Sequence, residues 1–204
     1  MDETAPPILD PMTDSEAIRS KLNAMLLAAV GDPAHPFHWP IFASLGVDGT
    51  PECRMMVLRD YDAERGEFFL HTDHRSAKME DIDANELSSL YFYDASLRLQ
   101  IRVAGITDVH HRNEVTRKHF AALPEHAKAM YGVRTPPGKE IDIDAPFDVP
   151  PTGPVNLDSA YQNFAVVRVT SASADVLELH PTGHRRIVIS LDSVELDLFK
   201  RIAP

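Results

Sequence analysis

The chain has 204 residues, 44% of them hydrophobic and 25% charged, which suits one large globular domain with a sizeable core. Acidic residues outnumber basic ones 31 to 20, for a net charge of −11, and a field of that sign repels phosphate backbones and excludes generic nucleic-acid binding. The single cysteine, Cys53, excludes an internal disulfide and fits a reducing cytoplasm, and no segment approaches the ~20 apolar residues that span a bilayer.

Residues 1–13 form an acidic, Pro-rich arm with Pro6, Pro7 and Pro11. It lacks the basic-then-apolar order of a signal peptide, so a soluble, cytoplasmic protein is expected. The rest, 14–204, reads as a single domain. Thr13 or Asp14 can cap a first helix, with Glu16 placed as in a capping box after Thr13. That helix, over 14–30, carries Ile18, Leu22, Met25, Leu26 and Ala29 on one face, and Gly31 and Pro33 end it. From Pro40 the period changes. Residues 40–62 predict two strands joined by a turn at Gly46, Asp48 and Gly49. Residues 66–72 predict a third strand, 75–84 a short helix with Met79 and Ile82 on one side, and 87–93 another strand. In 97–109, Leu97, Leu99, Ile101 and Val103 alternate with Arg98, Gln100 and Arg102, so one strand face is apolar and the other lines something polar. Helical spacing returns over 112–130. Residues 134–160 are Pro-rich and aperiodic, a long loop or flap. Three β-type runs close the chain: FAVVRV, DVLELH and RRIVISL. Strands this closely spaced leave no room for repeated βαβ crossovers. The expected class is therefore mainly β: a mostly antiparallel barrel with peripheral helices.

Three constellations stand out. Arg54-Met-Met-Val-Leu-Arg59 places two guanidinium groups around four apolar residues. Arg54 can grip a phosphate bidentately, or the pair is simply two surface arginines on an edge strand. Thr72-Asp-His-Arg-Ser76-Ala-Lys78 runs from a strand end into a helix start. Its hydroxyls, Lys78 and the helical N–H groups suit an anion, or Ser76 caps an ordinary helix. Gln100, beside Arg98 and Arg102, offers a donor and an acceptor to the edge of a heterocycle, or lies on a solvated face.

Taken in order, these segments resemble the flavin-site sequence of the pyridoxamine 5′-phosphate oxidase-like split barrels. The shared pattern is Arg54-x4-Arg59, a strand ending His71-Thr72, Ser76-Ala-Lys78, and Gln100-Ile-Arg-Val-Ala-Gly105. The ending Arg201-Ile-Ala-Pro204 is similar to that family's Arg-Leu-x-Pro. The resemblance implies a six-stranded antiparallel split β-barrel that binds FMN at a homodimer interface and acts on a small-molecule substrate. It assigns the FMN phosphate to Arg54 and Lys78, with Thr72 and Ser76 nearby. It lays the backbone of Val57–Leu58, with Arg59 and His71 in the matching segments, along the cofactor, and puts Gln100 at the polar edge of the isoalloxazine. Where the family has a Trp and an Arg-x-His-x-Arg segment, this chain reads Asn163-Phe164-Ala165 and His184-Arg185-Arg186-Ile187. Phe164 then stands in for the Trp as a flat neighbour of the flavin and Arg185 keeps the first arginine, whereas Ile187 takes the His position.

The family's substrate-phosphate residues are a Lys, a Tyr, an Arg and a Ser. Here they read Arg59, His119, Leu123 and Ala127. The grip has lost its main cation and two hydroxyl donors, so efficient oxidation of pyridoxine phosphate is not expected. The resemblance leaves three functions: an FMN-dependent oxidoreductase passing electrons between an organic substrate and oxygen or a nicotinamide, a non-catalytic flavin carrier or sensor, and a haem-binding relative. Arg54, Lys78 and Gln100 favour flavin over haem. The histidines His35, His38, His110, His111 and His119 match no zinc spacing, and no metal is expected.

Overall fold

The computed structural model describes residues 7–10, 14–146, 156–171, 173–191 and 198–204. The Thr13 cap, most of the arm and residues 147–155 of the expected flap lie outside them. Helix α1 spans Ser15–Gly31, with Asp14 as the N-cap whose side chain accepts from the Glu16 amide. Ile18, Leu22, Leu26 and Ala29 are buried along it, and Met25 is packed at the edge of the same core. A 3-10 turn at Pro36–His38 leads into the first strands, β1 (Ile41–Leu45), β2 (Pro51–Met55) and β3 (Leu58–Asp62). Next come β4 (Glu67–Asp73), α2 (Lys78–Ala84), β5 (Leu87–Asp94) and β6 (Leu99–His111). The chain continues through α3 (Glu114–Ala122), α4 (Glu125–Met130) and α5 (Leu157–Asn163). It ends in β7 (Phe164–Thr170), β8 (Ser173–Glu178), β9 (Arg185–Ser190) and β10 (Phe199–Ile202).

All recorded ladders are antiparallel, as the strand spacing predicts. Neighbours run β3-β4-β7-β6-β5-β1-β2, and β8-β9-β10 extends from the other part of β6. β2 and β3 are halves of one extended run broken at Met56–Val57. Counted once, that run gives the barrel its six strands, and because no ladder joins β2 to β3 the sheet stays open there. The inner face of β6 supplies Leu99, Ile101 and Val103, all fully buried, against Phe42, Phe68, Leu70, Leu90 and Phe92.

Four details differ from the sequence expectation. Leu97 lies in the turn before β6, and Arg98 has a positive φ of 52°. The helical stretch 112–130 is cut in two at Leu123–Pro124, because proline disfavours helix in the residue before it. The end of the 134–160 segment is the helix α5, capped by the Asn156 side chain accepting from the Ser159 amide at 3.0 Å. A short fourth closing strand, β10, pairs with β9. Among the described residues no helix is long and apolar enough to cross a membrane.

Candidate cofactor site

Period-two alternation on β4 turns Phe68, Leu70 and Thr72 inward. The chain then doubles back after Asp73. The Ser76 amide donates to the Asp73 carbonyl at 3.1 Å and the Ser76 hydroxyl donates to the same oxygen at 2.8 Å. Ser76 is thus buried in the turn rather than capping α2, whose N-cap is Ala77 and lacks a side-chain cap. The turn sets Lys78 against the strand end. Its Nζ donates to Thr72 Oγ1 at 3.0 Å and to Ser76 Oγ at 2.8 Å.

Arg54 approaches from β2, directly opposite Phe42 on β1. Its guanidinium donates to Ser44 Oγ at 2.6 Å and sits 5.6 Å from the centre of the Phe42 ring. Asp81 lies 3.6 Å away and Glu52 3.9 Å. Burial holds the Lys78 pKa below the usual lysine range, and the Arg54 charge pushes it further down. Two cations close enough to repel, with hydroxyls beside them, are disposed to receive an anion. Arg54, Thr72, Ser76 and Lys78 are therefore brought together, the grouping that the resemblance implies.

The remaining predicted residues fall elsewhere. Val57 is partly buried at the break between β2 and β3, and Leu58 is fully buried. Arg59 is the extra residue of a bulge, because Leu58 pairs with Leu70 and Asp60 with Phe69. The bulge leaves Arg59 exposed, close enough for its charge to act on His71 and Tyr131. His71 alternates with Thr72 and so faces the opposite side of β4, beneath α3. Its Nε2 lies 3.0 Å from Nδ1 of His119, and its buried Nδ1 has no hydrogen-bond partner among the described residues. Burial above all, then the neighbouring His119 and Arg59, lowers the His71 pKa to about 3. Tyr131 is pushed up to about 12, chiefly by burial, and stays a neutral hydroxyl.

Phe164 is expected to lie flat against the cofactor. In the fold its ring is fully buried among His71, Phe120 and Tyr131, with centroids 4.9, 5.3 and 4.9 Å away. Leu123, at the position of the family's substrate arginine, joins the same apolar cluster. Gln100 points to the outer face of β6, opposite Leu99 and Ile101, where Tyr91 Oη donates to its Oε1 at 3.2 Å. Arg54 pairs with inward-facing Phe42, so one copy of the chain holds Arg54 and Gln100 on opposite faces of the sheet. Arg185, on β9, donates to Gly183 O and Thr182 Oγ1 of the preceding turn, away from the Arg54–Lys78 group.

Sequence reasoning missed Ser44 and Asp81, which surround Arg54. Asp81 had one legible signal, its i+3 spacing from Lys78 on a helix, but the register that brings Ser44 to Arg54 has none. A cleft of about 800 Å³ between α2 and β6 is lined by His74, Ile82, Thr107, Val109 and His111 among others, and none of the anion-binding side chains borders it.

Comparison with known proteins bears on the fold and on residues 19–111. Residues 19–111 match the family model described as "Pyridoxamine 5′-phosphate oxidase, FMN-binding domain". Curated relatives named pyridoxine/pyridoxamine 5′-phosphate oxidase include one from Caulobacter vibrioides, 34% identical over 86 residues, and one from Myxococcus xanthus, 37% identical over 90. These alignments cover 42% and 44% of this chain and only 37% and 35% of the relatives. Two solved structures share the fold over most of their length. A pyridoxamine 5′-phosphate oxidase-related, FMN binding protein from Nostoc punctiforme is 20% identical with a TM-score of 0.68, covering 90% of this chain and 96% of that one. PhzG from Burkholderia lata, in complex with tetrahydrophenazine-1-carboxylic acid, is 16% identical with a TM-score of 0.69, covering 100% and 99%. Residues 19–111 are thus similar to the FMN-binding domain of the pyridoxamine 5′-phosphate oxidases, on a split-barrel fold shared with the solved neighbours.

Proposed function

We propose that this protein binds FMN between two copies of the chain and acts as a flavin-dependent oxidoreductase on a small organic substrate other than pyridoxine phosphate. The observation that carries the reading is the convergence of Lys78 on Thr72 and Ser76 beside Arg54. A phosphate dianion needs about two cations. It would also relieve the repulsion that burial imposes on them.

Arg54 and Lys78 would hold the phosphate, and the Thr72 and Ser76 hydroxyls would turn from accepting Lys78 protons to donating toward its oxygens. The backbone of Val57–Leu58 would lie along the ring. Gln100 and Arg185 would reach the ring only from the second copy, since a single chain keeps them apart from Arg54. When bound, FMN supplies hydride or electron transfer, and the chain's own task is to position a substrate and exclude water.

On the substrate side, exposed Arg59, at the family's Lys position, keeps a cation whose charge acts on His71 and Tyr131. Leu123 is packed into the apolar cluster and Ala127 carries no donor. Neutral imidazoles and a neutral phenol make a poor phosphate cage. They suit a planar substrate with at most one anionic group, and the structural relative solved with a phenazine carboxylic acid is consistent with that class.

The test is titration of purified protein with FMN, followed by anaerobic reduction with candidate donors. Wild type turns yellow and binds FMN. Lys78→Met weakens binding by roughly ten- to a hundredfold, as expected for losing a charged hydrogen bond of ~1.5–3 kcal/mol. Pyridoxamine phosphate under oxygen gives little turnover. A protein that stays colourless overturns the proposal. Turnover comparable to a genuine oxidase overturns the substrate reading, and bound FMN that no donor reduces points to the carrier.

A further inference from the structure

We propose that the Asp81 carboxylate is a resident counter-ion of the anion site: it neutralises Arg54 before a ligand arrives and competes with the ligand's phosphate for that charge. The inference rests on reading Arg54 and Lys78 as phosphate ligands.

Asp81 sits on α2 three residues after Lys78, so helical spacing puts both side chains toward the same side. Its Oδ2 is 3.6 Å from Arg54 Nη2, and the two side chains are 13% and 22% exposed. Its Oδ1 accepts from the Val47 amide at 3.3 Å, which fixes the carboxylate from the turn between β1 and β2. Arg54 is oriented by something else: its short hydrogen bond goes to Ser44, and the Phe42 ring lies alongside it. Asp81 therefore supplies charge to Arg54 more than direction.

The other nearby carboxylates are poorer counter-ions. Asp73 is clamped by Arg75 through contacts of 2.6 and 3.0 Å. Glu52 is farther from Arg54, at 3.9 Å, and is 49% exposed, so water screens it. Lys78 also senses Asp81. Asp73 and Asp81 hold its proton on against burial and the Arg54 charge. A partly buried pair of cations without such a partner is costly. An incoming phosphate meets the same carboxylate as a like charge within a few ångströms, and its attraction to Arg54 is reduced accordingly.

The experiment compares FMN with riboflavin, which has the same ring system and no phosphate. The ratio of their affinities reads the phosphate end alone. In Asp81→Asn the amide oxygen still accepts from Val47, while the charge is gone. Its FMN affinity should rise roughly tenfold relative to riboflavin, as a like charge removed from a partly screened site predicts. The ligand-free variant should melt below wild type, and saturating FMN or inorganic phosphate should close that gap. Glu52→Gln should leave the ratio within about twofold, because exposed charges contribute little.

If wild type binds FMN and Asp81→Asn leaves the ratio unchanged or lowers it, the counter-ion role is wrong and the cofactor reading stands. If wild type binds neither flavin, both fall. A variant recovered folded only with FMN or phosphate present supports the proposal, and one that stays unfolded at saturating FMN overturns it.

Discussion

His71 and Thr72 are neighbours in the chain, and both belong to the motif that carries the family resemblance. Strand alternation sends them to opposite faces of β4. Thr72 meets Lys78, whereas His71 meets His119, Phe164 and the field of Arg59. The family resemblance thus made the Arg54–Thr72–Ser76–Lys78 group legible, but it could not tell which motif members share a pocket. The His71 environment has a measurable consequence. Its pKa is lowered from 6.5 to about 3. Above pH 6.5 the folded and unfolded chains both carry it neutral. As pH falls from 6.5 toward 3, the unfolded chain takes up a proton that the folded chain refuses, and stability is lost across that window. His119 on α3, also held below its ordinary value mainly by burial, adds in the same direction, while Asp60 opposes it. Melting temperatures of wild type should therefore fall more steeply between pH 7 and pH 4 than those of His71→Phe, which keeps an aromatic ring and cannot titrate. Parallel curves would show that His71 is not held neutral.

At the scale of elements, β6 organises the sheet. Along one edge it pairs with β5 from Leu99 to Ile106. Along the other it pairs with β8 up to Val103, then with β7 from Ile106 onward. Gly105 stands at the changeover. A Cβ there would meet the Thr170 carbonyl oxygen at 2.5 Å and Val169 Cγ1 at 2.9 Å. The backbone oxygen cannot swing aside as a side chain would, so Gly105→Ala should destabilise the protein by about 1–3 kcal/mol, the usual range for overpacking. Urea unfolding measures it, and an unchanged midpoint would mean that β7 can shift without cost. The alternation of β6 was readable because its inward positions are apolar from Leu99 to Val103. β10 was not, because it is short and mostly exposed: Lys200, Arg201 and Ile202 are all solvent-facing, and Phe199 alone of its four residues packs against the core. Helix α5 escaped for a similar reason. It spans only seven residues, and Ala160 is the one buried residue among them, so its best signal was the Asn156 cap rather than any periodicity.

For the whole molecule, the decisive feature is that one chain separates groups which a flavin would have to join. The outer face of the barrel carries a continuous cross-strand row, Met55–Ile41–Tyr91, with Met55 69% and Ile41 38% exposed. Trp39 and Tyr93 lie exposed beside it, and Gln100 pairs with Tyr93 on the same face. Exposed apolar side chains gathered on a sheet face mark an association surface. On the proposed reading, a second copy seated there supplies the Gln100 that one chain holds apart from Arg54. Doubling a net charge of −11 opposes such pairing, so the contact must be carried by its apolar area and should tighten as salt screens the repulsion. Sedimentation equilibrium should therefore find a dimer, with dissociation favoured at low ionic strength. Ile41→Asp puts a charge in the centre of the row without touching the inward core. It should give a folded monomer, with an unchanged circular dichroism spectrum, whose FMN affinity falls by at least tenfold, because Gln100 and Arg185 no longer reach the ring. A wild-type monomer that binds FMN tightly would mean that one chain completes the site alone, and the outer face would then need another explanation.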